Sequence, residues 1–584
     1  MKYNRPKSIH GEDKSIEMRV SLPYFSFVSK LLLWGILLIS YSLSAQTQAT
    51  LTAQEWLQQR GEVYCAIPLP IEAELQRGLD SLTSVDKLQN DQLLLYANEA
   101  GYAYLKSNQI AHEVLLPPSL QYSEESLLRA PSANWDFYPS LQAYYEMMQE
   151  FAFEYPELCR LDTMGYSEEN RPILYLIIST DLDETNSLPG VYLTSTMHGD
   201  ETLGYSLLLR LADYLLSSYG SNAKITQLLE KTHIYLNPLA NPDGAYAVSE
   251  NSVFGATRFN ANQLDLNRNF PDPSVGNHPD GNPWQSENLA QMNMHQKHRI
   301  HLSGNIHGGF EVLNYPWDTW SHPHPDDDFF IFLSREYVDT AHLHTQPDLG
   351  NYLSSFNNGI TNGYSWYYIT GSRQDYVTYF TGGREVTLEL SNNKMPAPGL
   401  LPLYWEASYR SLLNYIERSH YGIHGFVTDA ETHLPLRAKI ELLVHDFDQS
   451  FVYSDSLKGD FYRFVSPGVY QLQVSAPGYQ TQELFVNLQD YYTTEEVDIE
   501  LQPLLNARDH RSKPLQLYPN PCSEILFIES AQTIDEVQVF NLKGQLLETH
   551  PLNQQNSIPV GNLPAGVYIL KSARDATFHR FVKQ

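Results

Sequence analysis

The apolar and polar positions change period several times along the chain. Between about Trp135 and His420, helical spacing at Leu141 to Tyr155 and Leu203 to Ser217 alternates with short apolar runs at Ile173 to Ile178 and Gly190 to Thr194. That alternation predicts an α/β domain over 130–420, a mixed sheet flanked by helices, in which ligands gather at the carboxyl ends of strands. From Gly422 the helical period stops. Runs such as Ala438 to Val444 and Val469 to Val474, separated by Ser466-Pro467-Gly468 and Ala476-Pro477-Gly478, predict a small all-β sandwich over 422–503. A polar stretch, Asn506 to Lys513, reads as a linker before a second all-β segment over 515–584. Residues 46–123 are mixed, with helical spacing at Ala53 to Gln59 and Asp91 to Lys106 and no cluster of candidate ligands, and are expected to form a small α+β leader domain.

Residues 1–45 follow a different logic. Basic residues up to Lys30, an apolar run from Leu31 to Ile39 and small residues to Ala45 have the order of a secretory signal peptide, with cleavage expected after Ala45 and Met18 as an alternative start. The run falls short of the ~20 apolar residues that span a bilayer.

Composition narrows the choice of chemistry. The formal charge of -30, from 38 basic against 68 acidic residues, argues against nucleic acid and anionic lipid as partners. The 42% hydrophobic and 12% aromatic content suffices for packed cores. Cys65, Cys159 and Cys522 are too scattered for a disulfide framework or a thiolate metal cluster, so any metal must take His and carboxylate ligands.

Four constellations carry candidate chemistry. Met197-His198-Gly199-Asp200-Glu201 follows an expected strand, and His and Glu separated by two residues at such a corner can both turn to one ion. Alone, that spacing is as well explained by a loop salt bridge. His307, in Gly304-Asn305-Ile306-His307-Gly308-Gly309, supplies a third ligand, and two histidines with one glutamate leave a tetrahedral zinc one open position, the catalytic pattern. Asp265-Leu266-Asn267-Arg268, with Arg258 upstream, offers a guanidinium and an amide shaped to hold a free carboxylate, although Arg268 in isolation could equally be a surface ion pair. Glu389, between Leu388 and Leu390 on an expected strand, is placed to act as a general base beside a metal. His295, His298 and His301 lie in a run without carboxylates and are expected on a solvated face; His322 and His324 have no assigned role.

In this order the four pieces resemble the zinc carboxypeptidases of the M14 (carboxypeptidase A-like) family, and more narrowly its regulatory, carboxypeptidase N/E-type branch. The matching text is HGDE at 198–201, DLNRNFPD at 265–272, IHGG at 306–309, NYPWD at 314–318 and TLEL at 387–390. The resemblance implies one Zn2+ on His198, Glu201 and His307, with Glu389 as general base, and Arg258 polarising the scissile carbonyl. It also implies Asn267 and Arg268 on the substrate's terminal carboxylate, Asp265 orienting a ligand histidine, and Tyr367 closing over the substrate, with Tyr368 as the fallback. Asp318 matches an aspartate that favours C-terminal Lys or Arg. Asp200 departs from the branch, which carries Asn there.

The sandwich at 422–503, opening on Gly425-Phe426-Val427-Thr428-Asp429, is similar to the transthyretin-like domain of that branch. The last segment, with Leu517-Tyr518-Pro519-Asn520-Pro521, Val539 to Gly544 and Leu563 to Tyr568, looks like a type IX secretion sorting domain. Together these imply a secreted or cell-surface hydrolase acting on peptide and protein C-termini, exported through the periplasm and outer membrane by the type IX machinery, with the leader as packing or as a pro-segment. The alternatives are an enzyme trimming cell-wall peptides, a catalytically silent peptide-binding relative, or an aminoacylase-type deacylase.

Overall fold

The computed structural model describes residues 51–584 apart from 129–131, 505–514, 531–533, 535, 553–555 and 573–577. The expected signal peptide and linker fall outside the described residues. No helix among the described residues is long and apolar enough to cross a membrane.

The leader opens on helix Ala53–Arg60, started by a Thr52–Glu55 capping box and stopped by Gly61 at φ 70°. Four antiparallel strands follow, β1 (Val63–Pro68), β2 (Thr83–Gln89), β3 (Gln92–Ala97) and β4 (Glu113–Leu115), in the order β2-β3-β1-β4. The helix expected over Asp91 to Lys106 is in fact two elements, β3 and helix Glu99–Ser107, divided at Asn98, whose side chain caps the helix by accepting from Gly101 N. The run Leu93 to Ala97 is buried throughout, and a fully buried strand leaves no alternation to distinguish it from a buried helix.

The α/β unit is an eight-stranded mixed sheet made of β5 (Cys159–Tyr166), β6 (Pro172–Ile178), β7 (Gly190–Ser195), β8 (His233–Asn237), β9 (Leu302–His307), β10 (Glu311–Tyr315), β11 (Ile360–Asn362) and β12 (Arg384–Leu390). Their order is β11-β10-β12-β9-β7-β8-β6-β5. Strands β8, β7, β9 and β12 run parallel at the centre, so their carboxyl ends share one edge. These central strands are almost wholly buried, β7 and β8 mainly by apolar side chains and β9 and β12 with polar ones such as Asn305, His307, Arg384 and Glu385 among them. Helices Leu141–Glu154, Leu203–Ser218, Asp327–His344 and Leu401–Glu417 supply much of the principal core.

Residues 422–501 form two facing sheets around Ile423, Ile440, Leu472, Val474, Leu488 and Ile499. The junction with the α/β unit is ionic. Arg463, at 460–463 in the sandwich, and Arg384, at the start of β12, both bind buried Asp326 at 2.7 Å, and Arg463 also binds Asp446 at 2.6 Å. Asp326→Ala is expected to lower stability by about 3 to 5 kcal/mol, because buried Arg384 loses its counter-ion and Arg463 keeps only Asp446; chemical denaturation of the purified chain measures it. Residues 516–583 form two further antiparallel sheets around Leu526, Val537, Val539, Leu570 and Phe581.

Candidate active site

The site is assembled at the carboxyl ends of β7, β9 and β12. After β7 the chain turns through Met197 to Thr202 before the next helix, and the turn is held from behind. Asn241 donates to the carbonyls of Met197 (3.1 Å) and Phe259 (3.3 Å). Gly199 packs so closely on this support that a β-carbon would stand 2.2 Å from the Gly244 backbone, which only glycine permits. His307 ends β9, and its register partner on parallel strand β12 is Glu389. Two neighbouring strand ends therefore present a histidine and a carboxylate side by side.

His198 Nδ1, His307 Nδ1 and the Glu201 carboxylate converge. His198 Nδ1 is 2.9 Å from Glu201 Oε1, His307 Nδ1 is 2.7 Å from Oε2, and the two ring nitrogens are 3.1 Å apart. All three residues are buried, and their ligand atoms lie within 4.8 Å of one another. The far ring nitrogens also have partners. His198 Nε2 is 3.0 Å from Asp265 Oδ1, and His307 Nε2 is 2.8 Å from the side-chain amide of Asn305. With Nδ1 on a metal, Nε2 carries the proton; the Asn305 atom that faces it is Nδ2, and a flip of that amide brings Oδ1, which has no partner, into place to accept the proton and fix the tautomer. Asn305 was not singled out from the sequence, although two-residue alternation along β9 puts it on the face of His307.

The electrostatics fit a dication. Burial opposes the charge of Glu201, yet His198, Lys394 and His307 hold its carboxyl well below the usual range. Burial drops His307 to about 4, so its ring is neutral and able to ligate. Glu389 is pushed well above the usual carboxylate range by burial and by the charge of Glu201, and its Oε2 is buried without a hydrogen-bond partner. The other close group of possible ligands, Asp326, His445 and Asp446, has its carboxylates taken by Arg384 and Arg463 and suits structure rather than a metal.

Arg258 is buried between the two carboxylates, donating to Glu201 Oε1 at 3.1 Å and through Nη2 to Asp265 Oδ2 at 3.1 Å. Farther along the same cleft stand Asn267, Arg268, Tyr367 and Asp318. Asn267 is fixed by donating N–H to Asp265 Oδ1 and accepting Arg373 N–H on its own Oδ1. Arg268 spends one N–H on the Asn267 carbonyl, while its Nε is buried without a partner. Tyr367 is among the lining residues, whereas Tyr368 is 45% exposed and packs on Tyr364. Asp318 accepts from the side chains of Asn314 and Gln374, both at 3.2 Å. Behind it Asp375 accepts from the backbone of Asp318 and Thr319. Burial raises Asp318, and burial together with the charge of Asp318 raises Asp375 well above the usual range.

The leader contributes residues that no motif pointed to. Glu62 Oε2 accepts Arg258 N–H at 2.9 Å, Ser84 donates to Asp265, Tyr96 donates its phenol proton to Asp200 Oδ2 at 2.6 Å, and Asp86 faces Lys394 at 3.3 Å. Asp200 is thereby accounted for. Its carboxylate takes the leader's phenol and lies 3.7 Å from the Lys394 ammonium. The expected solvated histidine face is overturned too. His298 is 4% exposed, bonded to Tyr175 and paired at 2.8 Å with Glu184, a carboxylate from a separate loop. His301 accepts Gly190 N–H. His324 is buried against Trp317 and Phe330.

Residues 144–411 match the zinc carboxypeptidase family model, and residues 516–584 match the secretion system C-terminal sorting domain. Carboxypeptidase M of Mus musculus is 33% identical over 387 residues, covering 64% of this chain and 84% of the relative. Carboxypeptidase D of Mus musculus is 34% identical over 383 residues, covering 62% of this chain, and the match spans 26% of that relative's length. Among solved structures, carboxypeptidase A from Helicoverpa armigera aligns over 62% of this chain and 97% of its own at TM-score 0.49 and 19% identity.

Proposed function

The chain belongs to the zinc carboxypeptidase family, and from that premise we propose that it is an exported metallocarboxypeptidase that removes single C-terminal residues, with preference for Lys and Arg. The observation that carries this reading is the meeting, in one buried cleft, of the His198, Glu201 and His307 ligand atoms with an unpartnered Glu389 oxygen and the Asn267–Arg268 pair.

In this reading Asn267 and Arg268 grip the terminal carboxylate of the substrate, which limits hydrolysis to the last peptide bond. Zinc held by His198, Glu201 and His307 would supply a Lewis acid for the scissile carbonyl and the attacking water. Glu389 takes a proton from that water and returns it to the departing amine, a role suited to a carboxyl with raised proton affinity. Arg258 donates to the oxygen that gains charge as the carbonyl carbon becomes tetrahedral. Asp265 orients His198, and Tyr367 covers the bound terminal residue.

Preference for a basic residue rests on Asp318, backed by Asp375, because two buried carboxylates that repel each other are best relieved by a cation. Asp318→Ala is expected to reduce kcat/KM for peptides ending in Arg by roughly 100-fold while changing that for C-terminal Phe little, since a buried charge pair is worth ~2 to 5 kcal/mol. The assay is mass spectrometry of peptides ending in Arg, Lys, Phe or Glu, with and without a zinc chelator. Equal rates for all four would sink the basic preference, and no release from any of them by the zinc-loaded chain with its leader cut away would sink the carboxypeptidase reading. Residues 516–584 support export by the type IX machinery and residence at the cell surface or outside the cell.

A further inference from the structure

Strand β2 of the leader crosses the mouth of the cleft. Val85 and Asp86 line it together with Gly308, Gly309 and Lys394. Asp86 Oδ1 lies 3.3 Å from Lys394 Nζ and 3.1 Å from where a β-carbon on Gly309 would stand, and Oδ2 accepts the Tyr64 phenol proton at 2.7 Å. Both members of the pair are 2% exposed. The closed cleft retains about 20 Å³, room for little more than one water molecule.

A substrate with its carboxylate on Asn267 and Arg268 and its last side chain at Asp318 brings the scissile carbonyl to the ligand set. The chain upstream of that bond must leave past the ligands on the side away from Asp318. Gly308 and Gly309 keep that exit clear of side chains, and the chain's own aspartate already sits there. Its partner, Lys394, also lies 2.6 Å from Glu201 Oε1 and 3.7 Å from Asp200 Oδ1. Glu201 belongs to the ligand set, and Asp200 is bound by Tyr96. Of the three carboxylates, Asp86 is the one a substrate could replace without disturbing that set.

Building on the carboxypeptidase reading, we infer that Lys394 is a specificity-determining residue that recognises an acidic side chain upstream of the scissile bond. Asp86 occupies the same subsite in the closed chain as an internal competitor. The leader is anchored around it by Arg60, which donates to the carbonyls of Gly255 (2.7 Å) and Ala256 (2.9 Å), and by Glu62 on Arg258 N–H. Substrate access therefore requires an endoproteolytic cut or displacement of the leader.

The test compares hydrolysis of peptides ending Ala-Asp-Arg and Ala-Asn-Arg by the zinc-loaded full chain, before and after limited trypsin digestion that separates the leader. The cut chain should favour the acidic peptide about tenfold in kcat/KM, the scale of one partly buried charge pair. Lys394→Met should bring the ratio to about one whatever its effect on the absolute rate, and Lys394→Arg should restore the preference. In the uncut chain Asp86→Asn should raise the rate. Equal rates for the two peptides, or a preference that survives Lys394→Met, would overturn the role of Lys394. An uncut Asp86→Asn chain as slow as the unmodified one would overturn the internal competition. Failure of the cut chain to hydrolyse either peptide overturns the carboxypeptidase reading and this inference with it, whereas hydrolysis without preference overturns this inference alone.

Discussion

Replacing Glu389 by glutamine is expected to lower kcat on the order of 100- to 10,000-fold while the metal stays bound, because proton transfer by a positioned side chain contributes that much. Glutamine has nearly the shape of glutamate and can still accept from water, but it cannot take the proton away. The side chain is well isolated for such a test. Its Oε2 has no hydrogen-bond partner, and the residues proposed to hold the metal sit on other segments of the chain. KM should change little, since the groups assigned to the terminal carboxylate and side chain lie elsewhere in the cleft. Zinc content by atomic absorption, measured on the same preparation as the kinetics, separates loss of the base from loss of the metal. A variant with full zinc and unaltered kcat would remove Glu389 from the role.

What the sequence disclosed follows the range over which its signals act. His198 and Glu201 share one turn, so their spacing is local, whereas His307 stands 109 positions from His198 and was joined to them as a candidate by the two glycines after it and by the resemblance of the ordered motifs. The β-sandwich at 422–501 was legible because its alternation and Pro-Gly turns are local as well. The leader's part was not, because its contacts join residues far apart in the chain and each is an ordinary Glu, Ser, Asp or Tyr in a segment without motifs. Glu62 reaches Arg258 across 196 positions and Tyr96 reaches Asp200 across 104. Lys394 was hidden likewise, since a lysine after a strand is most often solvated and only the assembled fold encloses it. His298 was misjudged because its carboxylate partner comes from a loop more than a hundred residues earlier in the chain.

Stripping the metal is expected to abolish hydrolysis and also to loosen the fold around the cleft. Glu62, Asp86, Asp200, Glu201, Asp265 and Glu389 are gathered against Arg60, Arg258 and Lys394, so the buried carboxylates outnumber the cations that face them. Their proton affinities are spread apart: the cations and histidines beside Glu201 and Asp265 hold those two well below the usual carboxylate range. Burial pushes Glu62 up to about 7, and Asp200 and Glu389 are raised as well. A dication at the ligand set offsets that repulsion, and a metal present at a thousand times its dissociation constant stabilises the folded state by about 4 kcal/mol. Dialysis against a chelator should therefore lower the melting midpoint by roughly 8 to 16 °C for a unit of this size, and added zinc should restore both midpoint and activity. His307→Ala should reproduce the chelated midpoint without chelator and respond little to zinc. If chelation removed activity but left the midpoint where it was, the buried carboxylates would be balanced by protons alone, and the electrostatic argument for the metal would fail even with the ligands correctly assigned.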